Sequence, residues 1–219
     1  MVGGVSSTLF LPSAEAAPLY RCDYLIATMV GKEGVDDVLQ GTLGDDVIVG
    51  LSGNDQIFGN GGYDHICGGI GDDKIFGGDS QDRIWGEEGV DLVESRSGDD
   101  WIDVGDGNDG VYGGDGNDFL VGGGGRDILM GFGGNDAVLA GDGNDILFGD
   151  EGDDRLYGTE GDDRVLGWEG DEYLYGGDGI DFLDGGPDTD FADGGAGYPD
   201  TCINAETQIS CEALFPVDE

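Results

Sequence analysis

Apolar and polar positions repeat along most of the chain with a period of nine residues. From Ile48 to Ala192 an aliphatic side chain stands at every ninth position, and only Ala192 is not valine, isoleucine or leucine. Each of these residues is the middle of a three-residue segment, as expected for a short strand with one inward side chain. The six residues between segments are rich in glycine, aspartate and asparagine, which favour turns. The pattern predicts short strands separated by tight turns.

The turns carry a second signal in the same register. A carboxylate stands two residues before each of the 17 aliphatic positions, and Glu172 is the only one that is not aspartate. Glycine stands two residues before each carboxylate, except at Ser80 and Asp188. Such glycine and acid content often means disorder, but a disordered chain has no reason to keep this register. Two units make a coil of 18 residues, and stacked coils predict two parallel sheets with the aliphatic residues inside.

The charge balance restricts the possible partners. The chain has 49 Asp and Glu against 8 Lys and Arg, a formal net charge of −41. Nucleic-acid binding requires a basic surface and is excluded, and attraction to an anionic membrane surface is disfavoured. We expect no membrane span, because no stretch approaches the roughly 18 apolar residues that one needs. The natural partners of so many regularly spaced carboxylates are cations.

The repeat matches a known motif. Residues 113–121 read GGDGNDFLV, which fits the glycine-rich nonapeptide G-G-x-G-x-D-x-U-x. The chain therefore resembles the RTX (repeats-in-toxin) calcium-binding family over residues 31–200. The resemblance implies an all-β fold, a right-handed parallel β-roll of about nine 18-residue coils with a cap at each end. It also implies calcium ions held between successive turns along both edges.

The resemblance assigns the sixth position of each repeat as the calcium ligand, with glycine carbonyls completing the coordination. Calcium accepts six to eight oxygen ligands in irregular geometry, whereas zinc prefers nitrogen and sulfur. Roughly 16 ions are expected, at about one per turn. The register is interpreted as slipping by one residue at each end, which makes Asp36 and Asp200 outlying copies. The predicted ligands are Asp36, Asp46, Asp55, Asp64, Asp73, Asp82, Asp91, Asp100, Asp109, Asp118, Asp127, Asp136, Asp145, Asp154, Asp163, Asp181 and Asp190.

Two groups of turn residues are not predicted as calcium ligands in the same way. Fifth-position residues such as Asn117 and Asp153 are expected to stabilise the turns rather than bind metal. The turns near Ser95, Glu172 and Asp188 depart from the motif, so calcium sites there are doubtful.

Four cysteines suit an exported chain with two disulfides. Nine coils would make a rod of roughly 43 Å, too long for the first two cysteines to reach the last two. Cys22–Cys67 and Cys202–Cys211 are therefore favoured among the three connectivities. The alternative is free structural thiols.

Both ends of the chain depart from the repeat. Residues 1–17 contain a short apolar core and a small-x-small site, which predict a secretory signal, with a disordered leader as the alternative. Residues 18–30 are predicted to cap the first coil and residues 201–219 the last, because a solenoid otherwise exposes its core at each end. Export through an uncleaved C-terminal signal, common in the family, is a second possible route.

No motif predicts an enzyme. The chain has neither H-E-x-x-H nor G-x-S-x-G, and the only histidine, His65, stands at an outward seventh position. Identical turns also lack the paired, unlike carboxylates that glycoside hydrolysis needs.

Ninth positions face outward and yet are mostly apolar. They predict ladders of neighbours 18 residues apart, which either pack across strands or form a contact surface for self-association. The ladder residues are Phe58, Phe76, Val121, Leu139, Tyr157 and Tyr175. The sequence thus predicts an extracellular calcium-binding structural protein that folds on binding metal. The alternative is a calcium-dependent subunit of an extracellular fibre, surface layer or adhesive assembly, which associates through these ladders or through the ends of the solenoid.

Overall fold

The computed structural model describes residues 21–197 and 199–211. The predicted signal at 1–17 lies outside the described residues, as do the start of the predicted N-terminal cap and most of the predicted C-terminal cap.

The described chain consists of β-strands and turns, without helices. Arg21–Cys22 (β1) and Leu25–Ile26 (β2) form an antiparallel hairpin. All other strands belong to two parallel sheets. Sheet I contains β4 (Val38–Gln40), β6 (Gln56–Gly61), β8 (Lys74–Asp79), β10 (Leu92–Ser97), β13 (Gly110–Asp115), β15 (Ile128–Gly133), β17 (Ile146–Glu151), β19 (Arg164–Glu169), β21 (Phe182–Asp184) and β23 (Thr201–Ile203). Sheet II contains β3 (Met29–Val30), β5 (Val47–Ser52), β7 (His65–Ile70), β9 (Arg83–Glu88), β11 (Trp101–Asp103), β12 (Asp106–Gly107), β14 (Phe119–Gly125), β16 (Ala137–Asp142), β18 (Arg155–Glu160), β20 (Tyr173–Asp178), β22 (Phe191–Ala196) and β24 (Thr207–Ile209).

Successive strands alternate between the two sheets, so the chain winds as a parallel β-solenoid. Pairing follows the period of 18 residues, for example Leu147 with Leu129 and with Val165. The sheets contain 10 and 12 strands, which gives about ten turns rather than nine. The additional turn arises because the predicted cap residues 29–30, 201–203 and 207–209 themselves supply strands.

The solenoid interior is one column of aliphatic side chains. Every eighth-position residue from Ile48 to Ala192 is fully buried. Most strands are six residues long instead of the predicted three, because the first three residues of the next repeat continue the pairing. First-position residues therefore also face inward, and most are glycine.

Glycine at the second position of the repeat allows the positive φ that bends the chain around each edge. Where another residue stands there, as at Phe132 and Trp168, φ is still 81° and 82°. The fourth-position replacements Ser80 and Asp188 likewise have φ of 81° and 82°. The turn conformation is thus imposed by the stack and not by each local sequence.

The spacing between paired residues differs at the two ends of the repeat. At the C-terminal end Phe182 pairs with Thr201, a spacing of 19, which confirms the predicted slip. At the N-terminal end Val38 pairs with Gln56, a spacing of 18, so the predicted slip is wrong there. Asp37 therefore occupies the sixth position that sequence analysis gave to Asp36.

Both predicted disulfides are present, Cys22–Cys67 and Cys202–Cys211. The first holds the β1–β2 hairpin against the outer face of sheet II. Asp23 of the hairpin contacts His65 and Arg83, at 3.4 and 3.0 Å. His65 is buried, contrary to the exposed position predicted for it, because the hairpin covers it.

Candidate metal centres

Sixth-position carboxylates form a ladder along each edge of the solenoid. After the first carboxylate of each edge, the Oδ1 of each aspartate accepts a hydrogen bond from the backbone N–H of the equivalent residue one coil earlier; the distance from Asp145 N to Asp163 Oδ1 is 2.8 Å. Ladder I, which precedes the strands of sheet I, contains Asp37, Asp55, Asp73, Asp91, Asp109, Asp127, Asp145, Asp163, Asp181 and Asp200. Ladder II, which precedes the strands of sheet II, contains Asp46, Asp64, Asp82, Asp100, Asp118, Asp136, Asp154, Glu172 and Asp190, and ends on Glu206. Its hydrogen bonds are interrupted at Glu172, whose carboxyl oxygens accept none, although Glu172 N donates to Asp190 Oδ1.

The second oxygen of these carboxylates is buried without a hydrogen-bond partner. This holds for every ladder carboxylate from Asp55 to Asp200, and for both oxygens of Glu172. A buried anion without a partner is costly, so each free oxygen is a strong acceptor for a cation.

Burial raises the pKa of most of these carboxyls. Desolvation is the largest cause, the ladder hydrogen bond opposes it, and neighbouring carboxylates add to it. It raises the pKa of Asp73 to about 7 and that of Asp82 to about 8. Desolvation, together with Asp190, raises the pKa of Glu172 to about 9.

Backbone carbonyls converge with the free oxygens where the first position of the repeat is glycine. A Cβ placed on Gly59 would lie less than 3.0 Å from both the Asp64 Oδ2 and the Gly77 carbonyl oxygen, closer than real Cβ atoms come. The glycine therefore keeps open a space bordered by one carboxylate and one carbonyl oxygen. Hard oxygen ligands of this kind fit calcium.

Carboxylates do not cluster around one point. No group of three or more His, Cys, Asp or Glu side chains suited to a metal ion occurs in residues 21–197 and 199–211. In most turns whose first position is glycine, the oxygen that converges with the free carboxylate oxygen is a backbone carbonyl oxygen.

Fifth-position side chains form a separate outer ladder that stabilises the turns, as predicted. Asn117 Oδ1 accepts a hydrogen bond from Asn135 N at 2.9 Å, and Asp153 Oδ1 accepts one from Asp171 N at 3.1 Å. Asp36 belongs to this outer ladder, since its Oδ1 accepts from Asn54 N at 2.9 Å.

Ladders I and II are the inner ladders, in contrast to this outer one. The first carboxylate of each inner ladder already accepts hydrogen bonds at its second oxygen. Asp37 Oδ2 accepts from Lys32 N at 2.6 Å. Asp46 Oδ2 accepts from Thr42 N at 2.7 Å and from the Thr42 hydroxyl at 2.9 Å, and Thr28 donates to its Oδ1. Although burial acts to raise it, these hydrogen bonds lower the pKa of Asp46. The N-terminal turns are therefore less suited to a cation than those that follow.

The outward ninth-position residues stack in the predicted register. Phe58 and Phe76 lie parallel on sheet I with ring centroids 4.9 Å apart, and Tyr157 and Tyr175 lie 6.4 Å apart on sheet II. Val121 and Leu139 pair in the same ladder as these tyrosines. All six side chains are half-buried.

Sequence analysis missed aromatic contacts that mix seventh and ninth positions. On sheet II, Trp85 contacts Trp101, and Tyr157 contacts Tyr173. A seventh position of one coil beside a ninth position of the next is a diagonal neighbour across two strands, which a search restricted to one position of the repeat does not find.

The geometry agrees with a family comparison. A model of the RTX calcium-binding nonapeptide repeat matches residues 34–66, 68–93, 94–129, 112–147, 130–165 and 167–198. These matches cover most of the chain, which belongs to this family of calcium-binding repeat proteins. No curated protein matches the chain. No helix in residues 21–197 and 199–211 is long and apolar enough to cross a membrane.

Proposed function

We propose that this protein is a secreted, calcium-dependent structural solenoid whose function is to fold on binding many calcium ions. The observation that carries the proposal is the row of buried carboxylate oxygens, Asp55 to Asp200, that have no hydrogen-bond partner. The N-terminal signal predicted from sequence, the two disulfides and the family favour a location outside the cell.

Ladder carboxylates between Asp55 and Asp200 would hold the ions, together with carbonyl oxygens of the neighbouring turns, where the first position of the repeat is glycine. Asp36, Asp37 and Asp46 are not included, because their oxygens have hydrogen-bond donors or lie on the outer ladder. Bound calcium would supply positive charge between stacked anions, and its binding free energy would add to the free energy of folding.

The chain cannot balance this charge itself. Its formal net charge is −41, and 8 Lys and Arg are spread over 219 residues. Repulsion between stacked carboxylates opposes the compact state, and the aliphatic core is a single column. Without cations we therefore expect an expanded chain.

Sedimentation velocity with EDTA and then with millimolar calcium tests the proposal. We expect a slow, expanded monomer to become a compact monomer. If calcium leaves the sedimentation coefficient unchanged, calcium-dependent folding is wrong.

The same experiment decides the alternative, a subunit of an extracellular fibre, surface layer or adhesive assembly. Half-buried aromatic ladders on the outer faces would supply its contacts, although Phe58 and Phe76 already stack on each other within the chain. Large species that form only with calcium would favour assembly over the monomeric solenoid.

A further inference from the structure

The first position of the repeat divides the turns into two kinds. It is glycine in most turns, but Ser95, Val104 and Ala140 stand at this position in the turns of Asp100, Asp109 and Asp145. All three side chains are fully buried and face the interior.

Glycine leaves free space where these three residues have atoms. In the turn of Asp163, a Cβ on Gly158 would lie less than 3.0 Å from both Asp163 Oδ2 and the Gly176 carbonyl oxygen. The same pair of oxygens converges at Gly113, beside Asp118 and the Gly131 carbonyl. A cation needs this convergence of a charged oxygen and a carbonyl oxygen.

Two of the substituted turns differ at their fourth-position glycines, since Gly107 and Gly143 lack the positive φ that most other glycines at this position have. A Cβ on Gly143 would lie 2.8 Å from Asp145 Oδ1, and one on Gly107 would lie within 3.0 Å of both oxygens of Asp109. In the neighbouring turn with glycine first, the three nearest atoms to the Cβ position of Gly161 all belong to the adjacent coil. In turns with glycine first, the free carboxylate oxygen borders an open space at the Cβ position of that glycine. The side chains of Ala140 and Val104 fill the corresponding space in their own turns.

Ser95 changes its turn by hydrogen bonding. Its hydroxyl donates to the Gly113 carbonyl oxygen of the next coil. In turns with glycine first, the equivalent carbonyl oxygen converges with the free carboxylate oxygen. Here the Gly113 carbonyl oxygen accepts a hydrogen bond from Ser95 instead, so this oxygen is less available to a cation.

We propose that the turns of Asp100, Asp109 and Asp145 do not hold a calcium ion of their own, because a first-position side chain occupies the site. This inference rests on the proposed calcium function. Ser95 lies on the edge of ladder II, and Val104 lies on the edge of ladder I half a coil later. Both rows of ions are therefore interrupted at the same height, and the row along ladder I is interrupted a second time at Asp145, two coils beyond Asp109.

Two neighbouring turns of ladder I provide the test. Ala140→Gly opens the turn of Asp145, and Gly158→Ala closes the turn of Asp163, one coil away. Gly158 does not have a positive φ, so its backbone permits alanine. The number of calcium ions bound per chain is measured at saturating calcium by equilibrium dialysis and metal analysis of the full chain, with circular dichroism to check folding.

We expect Ala140→Gly to bind one more ion than the starting protein and Gly158→Ala to bind one fewer. Ser95→Gly should also bind one more ion. If Gly158→Ala does not fold, the ion counts of Ser95→Gly and Ala140→Gly together test the inference. Unchanged ion counts in Ala140→Gly and Ser95→Gly would overturn the inference. A starting protein that binds no calcium would instead refute the proposed function, so the two failures are distinguishable.

Discussion

At the scale of single residues, adjacent acidic side chains in one turn do different work. Asp162 Oδ1 accepts from Ile180 N on the outer ladder, and Asp163 Oδ1 accepts from Asp145 N on the inner one. The outer position accepts asparagine equally well, since Asn117 and Asn135 make the same bond elsewhere. The inner position carries a second oxygen that is buried and free. We therefore expect a negative charge to matter for calcium binding at the sixth position and not at the fifth.

This difference predicts opposite results for two neighbouring substitutions. Asp163→Asn keeps the ladder hydrogen bond but removes the charge that would face calcium, so we expect the calcium concentration at half-folding to rise by about tenfold, or ~1.4 kcal/mol. Asp162→Asn should leave that concentration within about twofold, because the amide oxygen replaces the carboxylate oxygen as acceptor. Calcium titration followed by circular dichroism measures both. Equal shifts in the two variants would show that the inner carboxylate has no special role.

At the scale of strands and turns, most of the architecture could be predicted because one period is shared by the aliphatic residues, the carboxylates and the glycines. The period of 18 predicts which strands pair, and it places Leu147 beside Leu129. It does not predict strand length, since the pairing of first-position to third-position residues leaves no apolar signal. Nor does it show that the β1–β2 hairpin covers His65, because that contact joins residues outside the repeat.

The site residues that lie within the repeat could likewise be predicted from its period, and those outside the repeat could not. Asp37 stands nine residues before Asp46, so the unbroken register identifies it, and the predicted slip to Asp36 is wrong. Glu206 closes ladder II by accepting from Asp190 N at 2.7 Å, 16 residues away, and no repeat in the sequence indicates it. The free carboxylate oxygens are likewise a property of the stacked turns rather than of any one motif.

The disulfides stabilise elements that the repeat does not. Cys22–Cys67 closes a loop with a sequence separation of 45, whereas Cys202–Cys211 spans 9. Because longer loops lose more entropy in the unfolded chain, we expect the double variant Cys22→Ser/Cys67→Ser to lose about 4 kcal/mol of unfolding free energy. Cys202→Ser/Cys211→Ser should lose about 2.5 kcal/mol. Guanidinium unfolding in saturating calcium compares them, and a larger loss for the C-terminal pair would contradict the loop-length argument.

At the scale of the whole molecule, the stability of the fold depends on the charge of the carboxylates in the two inner ladders. Ladders I and II place buried anions one above the next, and most members also donate their N–H to the carboxylate of the next coil. Under the proposed function protons and calcium ions would act on the same oxygens, so the two should replace each other in supporting the compact state.

Lowering the pH should compact the calcium-free protein. Burial raises the pKa of Asp73 to about 7, that of Asp82 to about 8 and that of Glu172 to about 9, all above their values in an unfolded chain. Groups with a raised folded pKa oppose folding when ionised, and this cost disappears as the pH falls through the folded values towards the unfolded ones. In EDTA, the sedimentation coefficient should therefore increase between about pH 9 and pH 5.

With calcium present the dependence should reverse, because protons compete for the ligand oxygens and more calcium is needed for half-folding as the pH falls. An EDTA-treated chain that stays expanded at pH 5 would mean that the buried carboxylates are not what keeps the calcium-free protein unfolded. The thin aliphatic core would then limit its stability. If calcium affinity also failed to change with pH, the free ladder oxygens could not be the calcium ligands.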